Sequence, residues 1–280
     1  MEAVWIIATG VGVAVLCGVL GCFLLLRKTT MIGDAISHAV LPGIAIAFII
    51  GGTNASTYML PIAVVFGLLS VWMIEYLHQK SKLQMDAAIG SIYTFLFAVG
   101  VILISLYSDS IYIDHESILY GEIAFVPFDF ISILGFEIPR LLFIISIGLL
   151  IVLPILLMFY KSFELISFNV EYAQSIGIDV FKWNVILMAM LCLAVVLSFE
   201  AVGSILVLAF LVIPPATAFL LSKRLSQMLL YTLIFGISAV IGGYYLAAFI
   251  NSSISACMAL FAACIFALIF IRSLIVKQYV

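Results

Sequence analysis

Ala3-Val-Trp-Ile-Ile-Ala-Thr-Gly-Val-Gly-Val-Ala-Val-Leu-Cys-Gly-Val-Leu-Gly-Cys-Phe-Leu-Leu-Leu26 runs without a charged side chain and stops at the basic pair Arg27-Lys28. About 20 apolar residues in a helix cross a hydrocarbon core about 30 Å thick, so this run reads as a membrane span. Met1-Glu-Ala-Val-Trp5 has no basic stretch and no small-residue cleavage site, so the span is expected to be permanent rather than a removable signal. Similar runs recur along all 280 residues, of which 66% are hydrophobic and 9% charged. Ordinary soluble domains carry roughly 25% charged residues. The expected fold is all-α, a polytopic transmembrane helical bundle forming one membrane domain over residues 1–280.

Working outward from the first run, nine spans fit the hydropathy: Ala3 to Leu26, Asp34 to Ile50, Tyr58 to Leu77, Ala87 to Tyr107, Leu141 to Tyr160, Asn184 to Phe199, Gly203 to Leu221, Met228 to Ile250 and Ser253 to Ile275. With the N-terminus outside and the C-terminus cytoplasmic, ten of the eleven Lys and Arg residues face the cytoplasm, and only Arg140 lies outside. That asymmetry is the positive-inside rule, and it selects the orientation. Cys17, Cys22, Cys192, Cys257 and Cys264 all lie in apolar spans without a C-x-x-C, which predicts free thiols rather than disulfides or zinc clusters.

Two segments between spans are long. The outer one, 108–140, carries Asp109, Asp114, His115, Glu116, Glu122, Asp129 and Glu137 against one Arg. Its stretch Ile118-Leu-Tyr-Gly-Glu-Ile-Ala-Phe-Val-Pro-Phe-Asp129 is too apolar for a solvated loop and predicts a segment lying on the bilayer or docked over the bundle mouth. The inner one, 161–183, contains Glu171-Tyr-Ala-Gln-Ser-Ile-Gly177, a short helical pattern stopped by glycine.

Chemistry concentrates at Met31-Ile-Gly-Asp34-Ala-Ile-Ser-His38-Ala-Val-Leu-Pro42-Gly43. The four-residue spacing sets Asp34 and His38 on one helix face, and a carboxylate with an imidazole suits first-row metals such as manganese, iron or zinc. Ionisable groups inside a span are costly when they face lipid and usually mark a substrate or ion pathway. A hydrogen bond between the pair that ties helices together is the alternative. Pro42 and Gly43, one turn later, can bend or open the helix.

Two protein ligands are too few for a transported transition metal. Glu200, at the expected outer turn in Ser198-Phe-Glu-Ala-Val-Gly203, is either an outer-gate acid or a solvated turn carboxylate. His115, between Asp114 and Glu116, is either a capture site on the outer face or part of a solvated acidic loop. His78, beside Gln79-Lys80, reads as interfacial. The sequence holds no G-x-x-x-x-G-K-[ST] phosphate loop and no H-E-x-x-H, which removes self-contained nucleotide coupling through that device and weakens a metalloprotease reading. No Gly-x-Ser-x-Gly elbow with a matching base is visible. Nothing basic and aromatic enough for nucleic acid projects from the membrane.

Gly33-Asp-Ala-Ile-Ser-His-Ala-Val-Leu-Pro-Gly43 resembles a segment early in the membrane permease of manganese/zinc/iron-type ABC importers, which also follows a first span ending in a basic pair. The resemblance continues at Leu119-Tyr-Gly-Glu-Ile-Ala-Phe-Val-Pro-Phe-Asp129, most like the manganese members, and at Ala201-Val-Gly-Ser-Ile-Leu-Val-Leu-Ala-Phe-Leu-Val-Ile-Pro-Pro-Ala-Thr-Ala218. It implies a cell-membrane assembly of a bacterium: a homodimer of permease chains, two cytoplasmic ATPase subunits and an extracytoplasmic metal-binding protein. Glu171, Ala173 and Gly177 are similar to the Glu-Ala-Ala-x-x-x-Gly coupling loop of ABC importers, with Tyr172 in the second place. The implied function is an ATP-driven importer subunit for divalent transition metals, most of all manganese, with the ion passing Asp34 and His38. The chain would be a transport subunit with no cofactor of its own and no enzyme activity. A self-contained secondary metal transporter or channel is the alternative, and an intramembrane metalloenzyme the third class.

Overall fold

The computed structural model describes residues 2–51, 55–81, 83–106, 123–133 and 136–278. Its helices are α1 (Glu2–Leu26), α2 (Met31–Gly51), α3 (Ala55–Ser81), α4 (Met85–Leu106), α5 (Arg140–Met158), α6 (Tyr160–Phe168), α7 (Val170–Ser175), α8 (Val180–Leu221), α9 (Leu225–Ile250) and α10 (Ile254–Gln278). A 3-10 turn, Ile123–Phe128, leads into an antiparallel hairpin of β1 (Phe130–Ile133) and β2 (Phe136–Pro139). Eight of the helices are long and apolar enough to cross a membrane. The chain is therefore an all-α polytopic bundle with one small hairpin.

The expected sixth and seventh spans form the single 42-residue α8, which leaves helical geometry only at Gly203, φ 77° and ψ 169°. Two contacts show that the chain doubles back there. Cys17 Sγ lies 3.5 Å from Ser198 Oγ, while a Cβ on the next residue, Gly18, would stand 3.8 Å from the carbonyl oxygen of Phe210. In an unbroken helix Ser198 and Phe210 would lie about 18 Å apart at 1.5 Å per residue. They flank adjacent residues of α1 instead, so the halves of α8 run in opposite directions. Among the described residues, eight long helices thus give nine apolar segments long enough to cross a membrane.

α1 is apolar all round, as expected of a helix buried among others, and it packs against α5, α8, α9 and the 3-10 turn. Without a hydrophobic force between helices in lipid, close backbone approach supplies much of the cohesion. Gly21 shows it: a Cβ there would collide with the Leu211 carbonyl of α8. Every cysteine is a free thiol; Cys17, Cys22, Cys192 and Cys257 are buried and Cys264 is exposed. Segment 108–140, where described, docks on the bundle: Ile123, Val126 and Pro127 are buried, and the turn packs on α1, α5, α8 and α10.

Candidate functional site

Asp34 sits in the first turn of α2, where the unpaired amides and the positive end of the helix dipole favour a carboxylate. His38 lies one turn on, its Nε2 3.4 Å from Asp34 Oδ1. Around them the helix is tightly held: Ile32, Ala35, Ile36 and Ala39 are buried, and Ser37 Oγ donates to the Gly33 carbonyl at 3.0 Å. The pair itself is not sealed. The side chains of His38 and Asp34 are 24% and 41% exposed in this single chain.

α4 supplies the wall beside the imidazole. The His38 ring meets Tyr93 at 4.8 Å between centroids and Phe97 at 5.6 Å, both edge to face. α4 comes this close because Gly100 has no side chain: a Cβ there would stand 2.9 Å from the Pro42 nitrogen. On the other flank Gly43 abuts α3, where its Cβ would lie 3.3 Å from the Ala63 Cα and the Ile62 carbonyl oxygen. Pro42, an interior helix proline, is therefore packed under α4 one turn beyond the imidazole. Among the described residues no group of three or more His, Cys, Asp or Glu side chains could hold a metal ion. Asp34 and His38 form an open carboxylate–imidazole pair.

Glu200 does not join them. It lies at the fold of α8, where Arg140 Nη2 donates to Glu200 Oε1 at 3.1 Å. Arg140 Nη1 also lies 3.5 Å from Asp129 Oδ2, and its backbone N–H donates to the Asp129 carbonyl at 2.9 Å. Glu200 Oε2 is buried without a hydrogen-bond partner. This carboxylate is a partly buried member of an ion-pair cluster, clasped by Arg140. His115 falls outside the described residues. His78 closes the end of α3 by a 2.8 Å hydrogen bond between Nδ1 and the Leu83 carbonyl.

The Glu171 segment is a six-residue helix, α7, capped at both ends. Asn169 Oδ1 accepts from the Tyr172 amide at 2.9 Å. At the other end Gly177, φ 84°, lets its own N–H donate to the Gln174 carbonyl and that of Ile178 to the Ala173 carbonyl, both at 3.0 Å. Glycine is the residue that enters this left-handed region without strain. Ala173 is buried, while Glu171, Tyr172 and Ile176 are exposed. The segment presents a small rigid knob with an acidic and apolar surface.

Sequence reasoning passed over Tyr93 and Phe97, and it singled out Arg140 without pairing it with Glu200. Tyr93 and Phe97 share one face of α4 by their four-residue spacing, and Arg140 stands out as the lone basic residue of its segment; those were the available signals.

Comparison with known proteins adds to this geometry. The chain matches the profile described as the ABC 3 transport family over residues 2–273. It is 44% identical over 271 residues to the manganese transport system membrane protein MntD of Bacillus subtilis, covering 96% of this chain and 91% of that one. It is 34% identical over 268 residues to the zinc transport system membrane protein TroD of Treponema pallidum, covering 96% and 73%. Among solved structures, a chain of PsaBC from Streptococcus pneumoniae in complex with Fab superposes with a TM-score of 0.78 at 32% identity, covering 95% of this chain and 90% of that one. An inward-facing metal-chelate type ABC transporter, at 18% identity and a TM-score of 0.68 over 96% and 85% of the two chains, shares the fold.

Proposed function

The chain belongs to the ABC 3 transport family, and we propose that it is the membrane permease subunit of an ATP-driven importer of divalent transition-metal ions, manganese first and zinc second. The observation that carries the reading is the Asp34–His38 pair, 3.4 Å apart and open on one side, in a span where an ionisable pair facing lipid would be strongly unfavourable. Relatives named for manganese and for zinc support those two ions. Ferrous iron rests on ligand chemistry alone.

The chain works as a homodimer. An Asp–His pair offers one oxygen and one nitrogen, and a second copy facing it supplies the same set, giving a four-ligand O/N site that a first-row ion can occupy in passing. The N-terminus lies outside and the C-terminus in the cytoplasm, as the Lys/Arg distribution favours. An extracytoplasmic binding protein delivers the ion to the face bearing segment 108–140. Separate cytoplasmic ATPase subunits grip α7 in segment 161–183, through the exposed Glu171 and Gly177, with the buried Ala173 seating the helix on the bundle, and drive the helices between outward- and inward-open arrangements.

Uptake of manganese, zinc and iron by the reconstituted assembly tests the proposal, with Asp34→Ala and His38→Ala alongside. Normal ATP-dependent transport by both variants removes the site assignment; transport without ATP or ATPase subunits favours the secondary transporter. Glu171→Lys should lower ATPase association while the permease chain still reaches the membrane.

A further inference from the structure

α6 and α7 are bolted into one body. Asn169, the residue between them, donates its N–H to the Leu165 carbonyl at 2.9 Å and accepts the Ala173 N–H at 3.1 Å, while its side chain caps α7 at the Tyr172 amide. The buried end of that body is Phe163, 2% exposed. Its ring meets Phe23 of α1 at 5.9 Å and Trp183 of α8 at 5.3 Å between centroids, both edge to face. Phe159, just before α6, also meets Trp183, at 4.7 Å. One buried ring thus joins the α6–α7 body to the end of α1 and the start of α8.

From Phe23 the connection to α2 is short and stiff. The Phe23 carbonyl accepts the Arg27 N–H at 3.1 Å and the Leu24 carbonyl accepts that of Thr29 at 3.0 Å, with Lys28 in the left-handed region at φ 57°. The Thr29 carbonyl in turn accepts the Ile32 N–H at 3.1 Å. The end of α1 therefore runs directly into the first turn of α2, which holds Asp34. On the other side, Asn184 follows Trp183 and donates to Glu75 Oε2 of α3 at 3.4 Å, and Arg27 interacts electrostatically with the same Glu75. The corner after Phe23 and the start of α8 are tied to each other as well as to Phe163. Close-packed interiors do not absorb a shift by compressing, and packed interfaces change between discrete arrangements. Displacement of α7 is accordingly passed on at the three rings rather than lost there.

We infer that Phe163 is a positioning residue for transport: its ring, wedged between Phe23 and Trp183, passes movement of α7 to the first turn of α2 and so moves Asp34. The inference rests on the proposed ATP-driven function, because that reading places the ATPase at α7.

Reconstituted assemblies carrying Phe163→Leu, Trp183→Leu or both test it through the manganese ions taken up per ATP hydrolysed. Phe163→Leu keeps an apolar side chain in the slot but loses the ring, and the ratio should fall about fivefold, the scale of single changes along a coupled network. Trp183→Leu should lower it similarly, and the double variant no further than either alone, because the rings act as a unit. Trp72→Leu removes an exposed ring that stacks on Tyr76 in α3 and should leave the ratio unchanged. A merely structural Phe163 lowers uptake and ATP hydrolysis together. An unchanged ratio in the single variants, additive losses in the double variant, or an equal loss with Trp72→Leu therefore overturns the inference alone. In the unaltered assembly a non-hydrolysable ATP analogue should alter amide exchange over residues 23–34; unaltered exchange there overturns the inference even if no variant assembles. Absence of ATP-driven uptake by the unaltered assembly overturns the functional reading and this inference with it.

Discussion

Arg140 donates to Glu200 across 3.1 Å and ties the first residue of α5 to the turn of α8 that precedes Gly203. Asp129 holds the same guanidinium from the hairpin side, so one cation joins three parts of the chain. Removing one partner of a fully buried ion pair costs about 3–5 kcal/mol, because the other charge is left stranded. Arg140 and Glu200 are 32% and 20% exposed, so solvent lowers the figure to about 2 kcal/mol for Arg140→Met. Glu200→Gln, which keeps an acceptor for Arg140, should cost less. Chemical unfolding in detergent orders the two variants, and no loss in either would show that the ion pair carries no stability of its own.

Gly203 sets the reversal of α8. Its φ of 77° with ψ of 169° lies in a region that is essentially reserved for glycine, and another residue there pays about 1–3 kcal/mol. Gly203→Ala is expected to lower the unfolding midpoint and to raise amide exchange over residues 198–206. Exchange confined to its original level in that stretch, with stability unchanged, would mean that the fold of α8 is set by its neighbours rather than by the glycine.

What could be read before the structure was local. Charge-free runs such as 3–26 need only hydropathy, and the Asp34–His38 pair needs only four-residue spacing, so both were legible. Non-local contacts were not. Tyr93 and Phe97 meet His38 from a helix more than 50 residues away along the chain, and no periodicity encodes which faces of two apolar helices touch. Glu200 illustrates the limit: its position at a turn was readable, but its ion pair with Arg140, 60 residues away along the chain, was not. Likewise Glu75 and Asn184 lie 109 residues apart and only packing brings them together.

Asp34 and His38 predict a shared transport phenotype. Loss of groups that merely support a metal ligand typically costs 10–100-fold in metal affinity, so Asp34→Ala and His38→Ala should each cut manganese uptake about tenfold or more. The ring binds a metal only through a nitrogen lone pair, so His38→Phe, which keeps a ring against Tyr93 and Phe97, should lose uptake as His38→Ala does. Uptake by His38→Phe at the level of the unaltered chain, with the assembly intact, argues that His38 is not a ligand.

Asp179 makes the start of α8 sensitive to acid. Its Oδ1 accepts from the Lys182 amide at 3.2 Å, and Lys182 Nζ lies 3.1 Å from Oδ2. Those hydrogen bonds to Lys182 hold the carboxyl below its usual range, since both favour the ionised form. A group whose value is depressed in the folded state stabilises it above the unfolded value and loses that effect as pH falls through the folded one. Protection of amides at the start of α8, relative to the exchange of an unfolded chain at the same pH, should be high at neutral pH and fall below about pH 3.9, the ordinary aspartate value. Asp179→Asn, which keeps a cap oxygen but cannot titrate, should remove that fall in protection.

Gly100 couples packing to the candidate site. A Cβ at this position would stand 2.9 Å from the Pro42 nitrogen and 3.0 Å from its Cδ, and neither atom belongs to a flexible side chain that can swing aside. Gly100→Ala must therefore push α4 away from α2, with an overpacking cost of about 1–3 kcal/mol. Tyr93 and Phe97 ride on the same helix, two turns and one turn before Gly100, so the displacement loosens their contacts with the His38 ring. The two consequences separate in experiment. Stability should fall in the absence of metal, and the manganese concentration for half-maximal uptake should rise, while ATP-dependent turnover at saturating manganese changes less. A variant that loses stability but keeps the same half-saturation would show that the aromatic wall does not position His38, because helix displacement would then have reached Pro42 without reaching the imidazole.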